Sequence, residues 1–246
     1  MDHTFHITPP FFEIGPKAYL YGQAALKLAK HADHMASVYN VQIIFTPQTV
    51  DIPLLARKTE HILVFAQHMD SLPIGRGIGS VLPEAIKAAG AAGVLLNHAE
   101  KPLSMAEIER TIKRADQVGL ASMVCAGTME DIVAIAHLEP NIILAESPAL
   151  IGVGKRQADD QAAIRKINEM VWKINPEIRI LHGAGISCGR DVYEIIAAGA
   201  QATGSTSGII LAKDPFAMLE EMIKSVRDAW DERQSQSRRS SDASLP

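Results

Sequence analysis

Residues 91–127 read AAGVLLNHAEKPLSMAEIERTIKRADQVGLASMVCAG and contain one strand–helix–strand unit. Apolar runs at 93–97 and 121–125 predict two strands, and the periodic segment 105–118 between them predicts a helix. The helix start is marked by Ser104 and Glu107, a capping box in which each residue satisfies a free backbone donor of the other. Because the two runs are apolar throughout, we expect parallel strands that are buried on both faces.

The same unit recurs along the whole chain. Strands are predicted at 11–15, 41–46, 62–67, 93–97, 121–125, 141–146, 178–183 and 202–205, and helices at 18–37, 52–59, 83–89, 105–118, 129–137, 159–174, 191–198 and 215–232. Eight such pairs predict an α/β fold of the (β/α)8 barrel type, as a single domain over residues 1–232. An open doubly wound sheet is the alternative, but its glycine-rich first turn is missing.

Composition narrows the class of protein further. Hydrophobic residues make up 47% of the chain, charged residues 21%, and the net charge is −4. There is no apolar run of membrane-spanning length, no signal-peptide pattern at the start, and no basic excess that would bind nucleic acid. We therefore expect a cytoplasmic protein with no nucleic-acid or membrane partner. Residues 233–246 are polar and aperiodic, and they are predicted to form a disordered C-terminal tail.

Polar side chains gather where the predicted strands end, which in such a barrel is the mouth of the active site. Lys17 follows the first strand, His98 the fourth and Glu146 the sixth. Burial at a strand end would raise the pKa of the Glu146 carboxyl and make it a usable base. The histidines lack metal-ligand spacing, so no metal site is predicted.

Two glycine-containing turns follow the seventh and eighth strands, at 183–186 and 204–208. In barrels of this kind these turns usually hold a phosphate, because their backbone N–H groups point at one place. A third glycine turn, Gly152-Val-Gly154, lies in the loop after the sixth strand. The set predicts an enzyme that acts on a small phosphorylated compound.

These segments resemble the triosephosphate isomerase family, in its compact archaeal-type branch. Asn97-His-Ala-Glu100 is similar to the family's Asn-His-Ser-Glu segment, and 146–155 is similar to its catalytic loop. The two phosphate turns also match, and the resemblance runs from about residue 12 to 228. It implies a barrel that interconverts D-glyceraldehyde 3-phosphate and dihydroxyacetone phosphate through an enediolate, as a homodimer or homotetramer assembled through its third loop. No cofactor is implied.

The resemblance also implies roles for individual residues. The family's proton-abstracting base falls on Glu146, its electrophilic histidine on His98, its cationic lysine on Lys17 and its assisting glutamate on Glu100. The residues expected at the substrate phosphate are Gly152, Gly185, Thr206, Ser207 and Gly208.

Several positions depart from the family pattern. Gly15 replaces the asparagine of Asn-x-Lys, so one polar contact to the substrate is missing and space beside the reacting carbons is expected to open. Ala99 replaces a serine, Val153 a threonine, and Ile78 the threonine of the dimer loop. Two alternatives therefore stay open: isomerisation of a related short sugar phosphate, such as a tetrose or tetrulose phosphate, and a sugar-phosphate-binding barrel without catalysis.

Overall fold

The computed structural model describes residues 7–146 and 160–242, and over these ranges its strands close into one parallel barrel in chain order. The strands are Phe11–Ile14 (β1), Gln42–Phe45 (β2), Ile62–Ala66 (β3), Gly93–Leu96 (β4), Ala121–Ala126 (β5), Ile142–Ala145 (β6), Arg179–His182 (β7) and Ala202–Gly204 (β8). β1 pairs with β2 on one side and with β8 on the other. The predicted (β/α)8 barrel is confirmed.

Each of the eight predicted helices is present, and one short helix, at Ser207–Ile210 where the sequence predicts a glycine-containing turn, is additional. The helices are Gly22–Tyr39 (α1), Ile52–Ala56 (α2), Pro83–Ala88 (α3), Met105–Val118 (α4), Met129–Ala136 (α5), Asp160–Ile174 (α6), Gly189–Ala197 (α7), Ser207–Ile210 (α8) and Pro215–Asp242 (α9), with a 3-10 turn at Thr49–Asp51 before α2. The Ser104 hydroxyl accepts a hydrogen bond from the Glu107 N–H at the start of α4, which is one half of the predicted capping box. The Glu107 carboxylate accepts from the Arg110 guanidinium.

The first helix begins four residues later than predicted. Residues 16–19 form a turn instead, closed by the Tyr19 N–H on the Pro16 carbonyl at 2.9 Å. Lys17 in this turn has a left-handed backbone with φ 47°, which is incompatible with a helix. The turn therefore separates the end of β1 from α1 and keeps Lys17 at the mouth of the barrel.

The last helix is ten residues longer than predicted. The disorder expected for 233–246 is corrected over 233–242, because α9 continues through Asp242. Arg233 donates to the carbonyls of Ile196 and Ala200 at 2.6 and 2.8 Å, and its guanidinium lies over the Trp230 ring. These contacts hold the helix at Arg233 against α7 and the loop after it. Residues 243–246 lie outside the described residues.

Two apolar clusters explain why the strands are apolar on both faces. A smaller cluster fills the barrel interior and includes Phe11, Phe65 and Leu181. A larger one lies between the sheet and the helices and includes Phe12 and Ile14. Since side chains alternate along a strand, Glu13 points inward with Phe11. It is a buried carboxyl at the level just below the mouth, beside Gly204 of β8 in register.

Within the described ranges, none of the helices combines the length and the apolarity that crossing a membrane requires.

Candidate active site

The carboxyl ends of the strands surround a cavity of about 850 Å³. The residues predicted for catalysis line it, and so do those predicted at the phosphate within the described ranges: Lys17, His98, Glu100, Glu146, Gly185, Thr206, Ser207 and Gly208. Gly152, Val153 and the rest of residues 147–155, which resemble the family's catalytic loop, lie outside the described residues. The fold therefore brings together side chains that are more than a hundred positions apart in sequence.

His98 and Glu146 face each other across this cavity. The His98 Nε2 lies 3.7 Å from the Glu146 Oε2, and both side chains are largely buried. The other ring nitrogen, Nδ1, accepts a hydrogen bond from the Glu100 backbone N–H at 3.1 Å. A nitrogen that accepts carries no proton, so the neutral ring carries its proton on Nε2. The tautomer follows from this hydrogen bond and directs a donor toward the carboxylate.

Two environmental effects keep the imidazole neutral. Burial lowers the pKa of His98, and the nearby Lys17 ammonium lowers it further, while Glu100 acts weakly in the opposite direction. The Glu100 carboxyl is itself held as a carboxylate, because the hydrogen bond from Lys17 lowers its pKa. At neutral pH the site therefore contains a neutral His98 next to an ion pair.

Lys17 is held at both its ends. Its Nζ lies 2.5 Å from the Glu100 Oε1. Its backbone carbonyl accepts hydrogen bonds from the Gln48 and Gln67 side-chain amides at 2.7 and 3.0 Å. These contacts stabilise the left-handed backbone that follows Pro16. The role of Gln48 was not evident from sequence, although an amide shortly after a strand end is the signal that could have found it.

The two predicted phosphate turns are packed directly on each other. The Ser205 hydroxyl donates to the Ile186 carbonyl at 3.0 Å. A Cβ on Gly208 would lie 2.5 Å from the same carbonyl, so only glycine fits at this position. Ala184 and Gly185 are both left-handed, with φ of 64° and 71°. Successive N–H groups of such turns form a concave site for an anion.

The space expected beside Gly15 is occupied. A Cβ on Gly15 would lie 2.8 Å from the Glu13 Oε1, which belongs to a buried carboxyl that also lines the cavity. The Thr46 hydroxyl donates to that oxygen at 2.7 Å. The expectation of open room here is wrong, because the carboxyl of Glu13 fills it from two residues earlier on the same face of β1.

Burial raises the pKa of Glu13 to about 7, opposed by the hydrogen bond from Thr46; the Glu146 charge raises it and the Lys17 charge lowers it. Sequence reasoning missed Glu13. The available signal was a single charged residue in the apolar strand segment Phe11-Phe-Glu-Ile14.

Other histidines at strand ends have structural partners. The His68 ring lies 3.3 Å from the Asp70 carboxylate, and the buried His182 ring is 2.9 Å from the Asn168 amide oxygen. Cys125, at the end of β5, is buried, and burial raises the pKa of its thiol. Ile78, in the loop after β3, is fully exposed.

The closed barrel, with a buried carboxyl and a neutral imidazole at its mouth, defines a (β/α)8 enzyme equipped for acid–base chemistry. A family model described as "Triosephosphate isomerase" matches residues 15–213. The chain belongs to the triosephosphate isomerase family, and it is therefore an isomerase of the aldose–ketose type, as predicted.

Individual relatives agree with this membership. The chain is 40% identical to the triosephosphate isomerase of Methanobacterium bryantii over 88% of this chain and 97% of the relative. It is 34% identical to that of Sulfolobus acidocaldarius over 92% of this chain and 98% of the relative. The crystal structure of triosephosphate isomerase from Bartonella henselae superposes with a TM-score of 0.71 at 16% identity, and covers 92% of this chain and all of its own; this likeness concerns the fold alone.

Proposed function

We propose that this chain interconverts D-glyceraldehyde 3-phosphate and dihydroxyacetone phosphate by proton transfer through an enediolate. The observation that carries the proposal is the juxtaposition of the Glu146 carboxylate and the His98 Nε2 at 3.7 Å, beside the Lys17–Glu100 ion pair. A base, a neutral donor and a cation thus meet in one cavity. The reaction requires these three groups.

In the proposed reaction Glu146 removes the proton from the carbon next to the carbonyl. The electrons of the broken C–H bond form the enediolate, whose negative charge develops on the former carbonyl oxygen. His98 donates from Nε2 to the enediolate oxygens and moves a proton between them. Glu146 then returns its proton to the neighbouring carbon, which completes the isomerisation.

The neutral state of His98 suits this task, and triosephosphate isomerases are the known example of a neutral catalytic histidine. A neutral imidazole is a weaker acid than an imidazolium, so it can both donate a proton to the enediolate and retrieve one. Lys17, whose side chain is 26% exposed, contributes a positive charge near the place where the negative charge develops.

The substrate phosphate is assigned to the N–H groups of Gly185 and Ser207, with Thr206 and Gly208 alongside. The packing of the two turns supports this assignment, because it holds their backbones at a fixed separation. Gly152 is assigned to the same phosphate from the resemblance alone.

The decisive experiment compares kcat/KM for glyceraldehyde 3-phosphate with that for a tetrose and a tetrulose phosphate at equal concentrations. We expect a value for the triose that approaches the diffusion ceiling of about 10⁸ M⁻¹s⁻¹. A slow triose reaction with a faster tetrose reaction would contradict the proposal and favour the related short sugar phosphate. Because Glu13 fills the space beside Gly15, the glycine at this position does not favour a longer sugar.

Proton exchange separates catalysis from binding alone. Dihydroxyacetone phosphate incubated with the protein in D₂O should incorporate deuterium at the carbon that loses its proton, well above a control with Glu146→Gln. A protein that binds the sugar phosphate but gives no exchange above background would be a non-catalytic binding barrel.

We further propose that the chain assembles as a homodimer or homotetramer through the loop after β3, about residues 68–80. Ile74 and Ile78 of this loop are strongly exposed apolar side chains, which an interface would cover. Light scattering should give a mass of at least two chains, and Ile78→Asp should shift it toward one. A monomeric wild-type protein would contradict the proposal. The cytoplasmic location stays a prediction.

A further inference from the structure

Glu13 is a buried carboxyl in the barrel interior that the proposed reaction does not use. It lies on the inward face of β1, above the interior residue Phe11 and below the mouth. Its side chain is one of the walls of the cavity that also contains His98 and Glu146. A carboxyl in an apolar barrel interior has a large desolvation cost, so its presence there requires an explanation.

The surrounding chain is shaped to accommodate this carboxyl. A Cβ on Gly15 would lie 2.8 Å from the Glu13 Oε1. A Cβ on Gly204 would meet first the Glu13 backbone carbonyl at 2.7 Å and the Glu13 Cβ at 3.0 Å, and then its Oε2 at 3.1 Å. Gly15 therefore leaves the volume that the carboxyl occupies, and Gly204 lets β8 approach the backbone and side chain of Glu13. The Thr46 hydroxyl, from the end of β2, donates to Oε1 at 2.7 Å and fixes the orientation of the group.

The groups that face Glu13 come from several strands. They are the Glu146 carboxylate after β6, the Lys17 ammonium after β1, the Thr46 hydroxyl after β2 and the buried Cys125 thiol of β5. Burial and Glu146 raise the pKa of Glu13 to about 7, so its neutral form is well populated near neutral pH. A neutral carboxyl has an O–H that can donate a hydrogen bond into the cavity.

We propose that Glu13 contacts the bound substrate, donating a hydrogen bond to a sugar oxygen near the reacting carbons, where its carboxyl takes the place of the side chain that Gly15 lacks. The inference rests on the proposed function and specifies one of its substrate contacts. Gly15 has no side chain to reach this region, whereas the carboxyl of Glu13 extends into it from the same face of β1. A carboxylate would repel the enediolate, so the protonated form of Glu13 is the productive one.

The kinetic test uses Glu13→Gln, Glu13→Ala, Gly15→Asn and the double variant Glu13→Ala/Gly15→Asn. With glyceraldehyde 3-phosphate, Glu13→Ala should lower kcat/KM at least tenfold and Glu13→Gln only a few-fold at pH 6.5. Gly15→Asn alone should be strongly impaired, since its Cβ would meet the Glu13 carboxyl. The double variant should recover activity relative to Gly15→Asn. Additive losses, or an unchanged Glu13→Ala, would overturn the proposal.

The pH profile is a readout that a purely structural role would not change. As pH rises through about 7, kcat/KM of the wild type should fall relative to that of Glu13→Gln, because only the wild type loses a proton at this position. Because both proteins act on the same substrate, the ratio of their kcat/KM profiles cancels the effect of ionisation of the substrate phosphate. A flat ratio between pH 6 and 8.5 would contradict the inference.

A binding measurement keeps the inference separate from the proposed function. Calorimetry with dihydroxyacetone phosphate and with inorganic phosphate should show weaker binding of the sugar phosphate in Glu13→Ala, about fivefold or more, and unchanged binding of inorganic phosphate. If the wild type does not isomerise trioses, the proposed function fails, and this difference still decides whether Glu13 contacts the sugar. Equal changes for both ligands would overturn the contact.

One further variant serves as a control, and one serves as the test if Glu13→Ala does not fold. Asp116→Asn, on the exposed side of α4, should leave both affinities unchanged. If Glu13→Ala does not fold, the pH ratio and the two affinities of the isosteric Glu13→Gln are the test. If kcat/KM of Glu13→Gln no longer falls at alkaline pH while its affinity for the sugar phosphate is retained, the inference is supported. If its pH profile equals that of the wild type, the inference is contradicted.

Discussion

Both sides of the active-site mouth present polar side chains to the cavity, but only one side does so with the residues of the family pattern. On the side of β4 and β6, His98, Glu100 and Glu146 keep the residues of the family pattern although Ala99 departs from it, and all three side chains line the cavity. On the side of β1, the asparagine of the family pattern is replaced by Gly15, and the polar group there comes from Glu13 instead. A motif can thus lose a residue while a side chain from a neighbouring position supplies the missing volume and polarity.

The largest effect is expected from a substitution on the side that keeps the family pattern. Glu146→Gln removes the proposed base but preserves its size, and it should lower kcat by about 10²–10⁴-fold. Calorimetry should show that inorganic phosphate still binds, because the two glycine turns are unchanged. A variant that retains more than about a tenth of the wild-type rate would remove Glu146 from the role of base.

The next effect concerns stability on the side of β1. An unfolded glutamate loses its proton near pH 4.5, whereas Glu13 in the folded protein keeps its proton up to about pH 7. Between these values the folded state binds more protons, so the free energy of unfolding decreases as pH rises. This decrease in the free energy of unfolding is complete above pH 7 and is on the order of 3 kcal/mol.

Glu13→Gln has no such ionisation. Urea unfolding at pH 4.5 and at pH 8 should therefore show that the variant gains stability relative to wild type at the higher pH. The same difference between the two proteins at both pH values would contradict a buried, titrating Glu13.

A smaller effect is expected from the group that orients Glu13. Thr46→Val removes the hydroxyl that donates to its carboxyl at 2.7 Å. Since that hydrogen bond lowers the pKa of Glu13, its loss should move the pH-dependent decrease in stability to higher pH. At pH 8 the loss should be about 1–3 kcal/mol. Thr46→Ser, which keeps the hydroxyl, is the matched control and should resemble the wild type in thermal unfolding at both pH values.

The smallest effect is expected at the ion pair that links the two sides of the mouth, between Lys17 after β1 and Glu100 after β4. Glu100→Gln weakens the ion pair with Lys17, whose carboxylate partner is 60% exposed, so stability should change by no more than about 1 kcal/mol. The backbone N–H that hydrogen-bonds His98 is retained, and kcat/KM should fall only several-fold.

Glu109→Gln is the control for Glu100→Gln. It breaks a comparable exposed pair with Lys113 on α4, outside the cavity, and should leave the rate unchanged. A Glu100→Gln variant as slow as Glu146→Gln would show that the ion pair is essential to the chemistry.

The sequence by itself determined the repeating architecture and the order of the site. Apolar runs, helix periodicity and capping residues are local signals, so the strands and α4 could be located from neighbouring residues alone. Positions just after the strands pointed to Lys17, His98 and Glu146, because strand ends in a parallel barrel share one rim. The resemblance then implied the role of each.

Only the tertiary structure decided what those residues contact. The polar wall at β1 depends on which side chain fills the volume beside Gly15, and Glu13 does so because the pairing of β1 with β8 places it beside Gly204. The turn at residues 16–19 is likewise held by Gln48 and Gln67, amides that reach it from the ends of β2 and β3. Contacts between strands that are far apart in sequence depend on the register of the strands and on closure of the barrel, and no local sequence pattern encodes them.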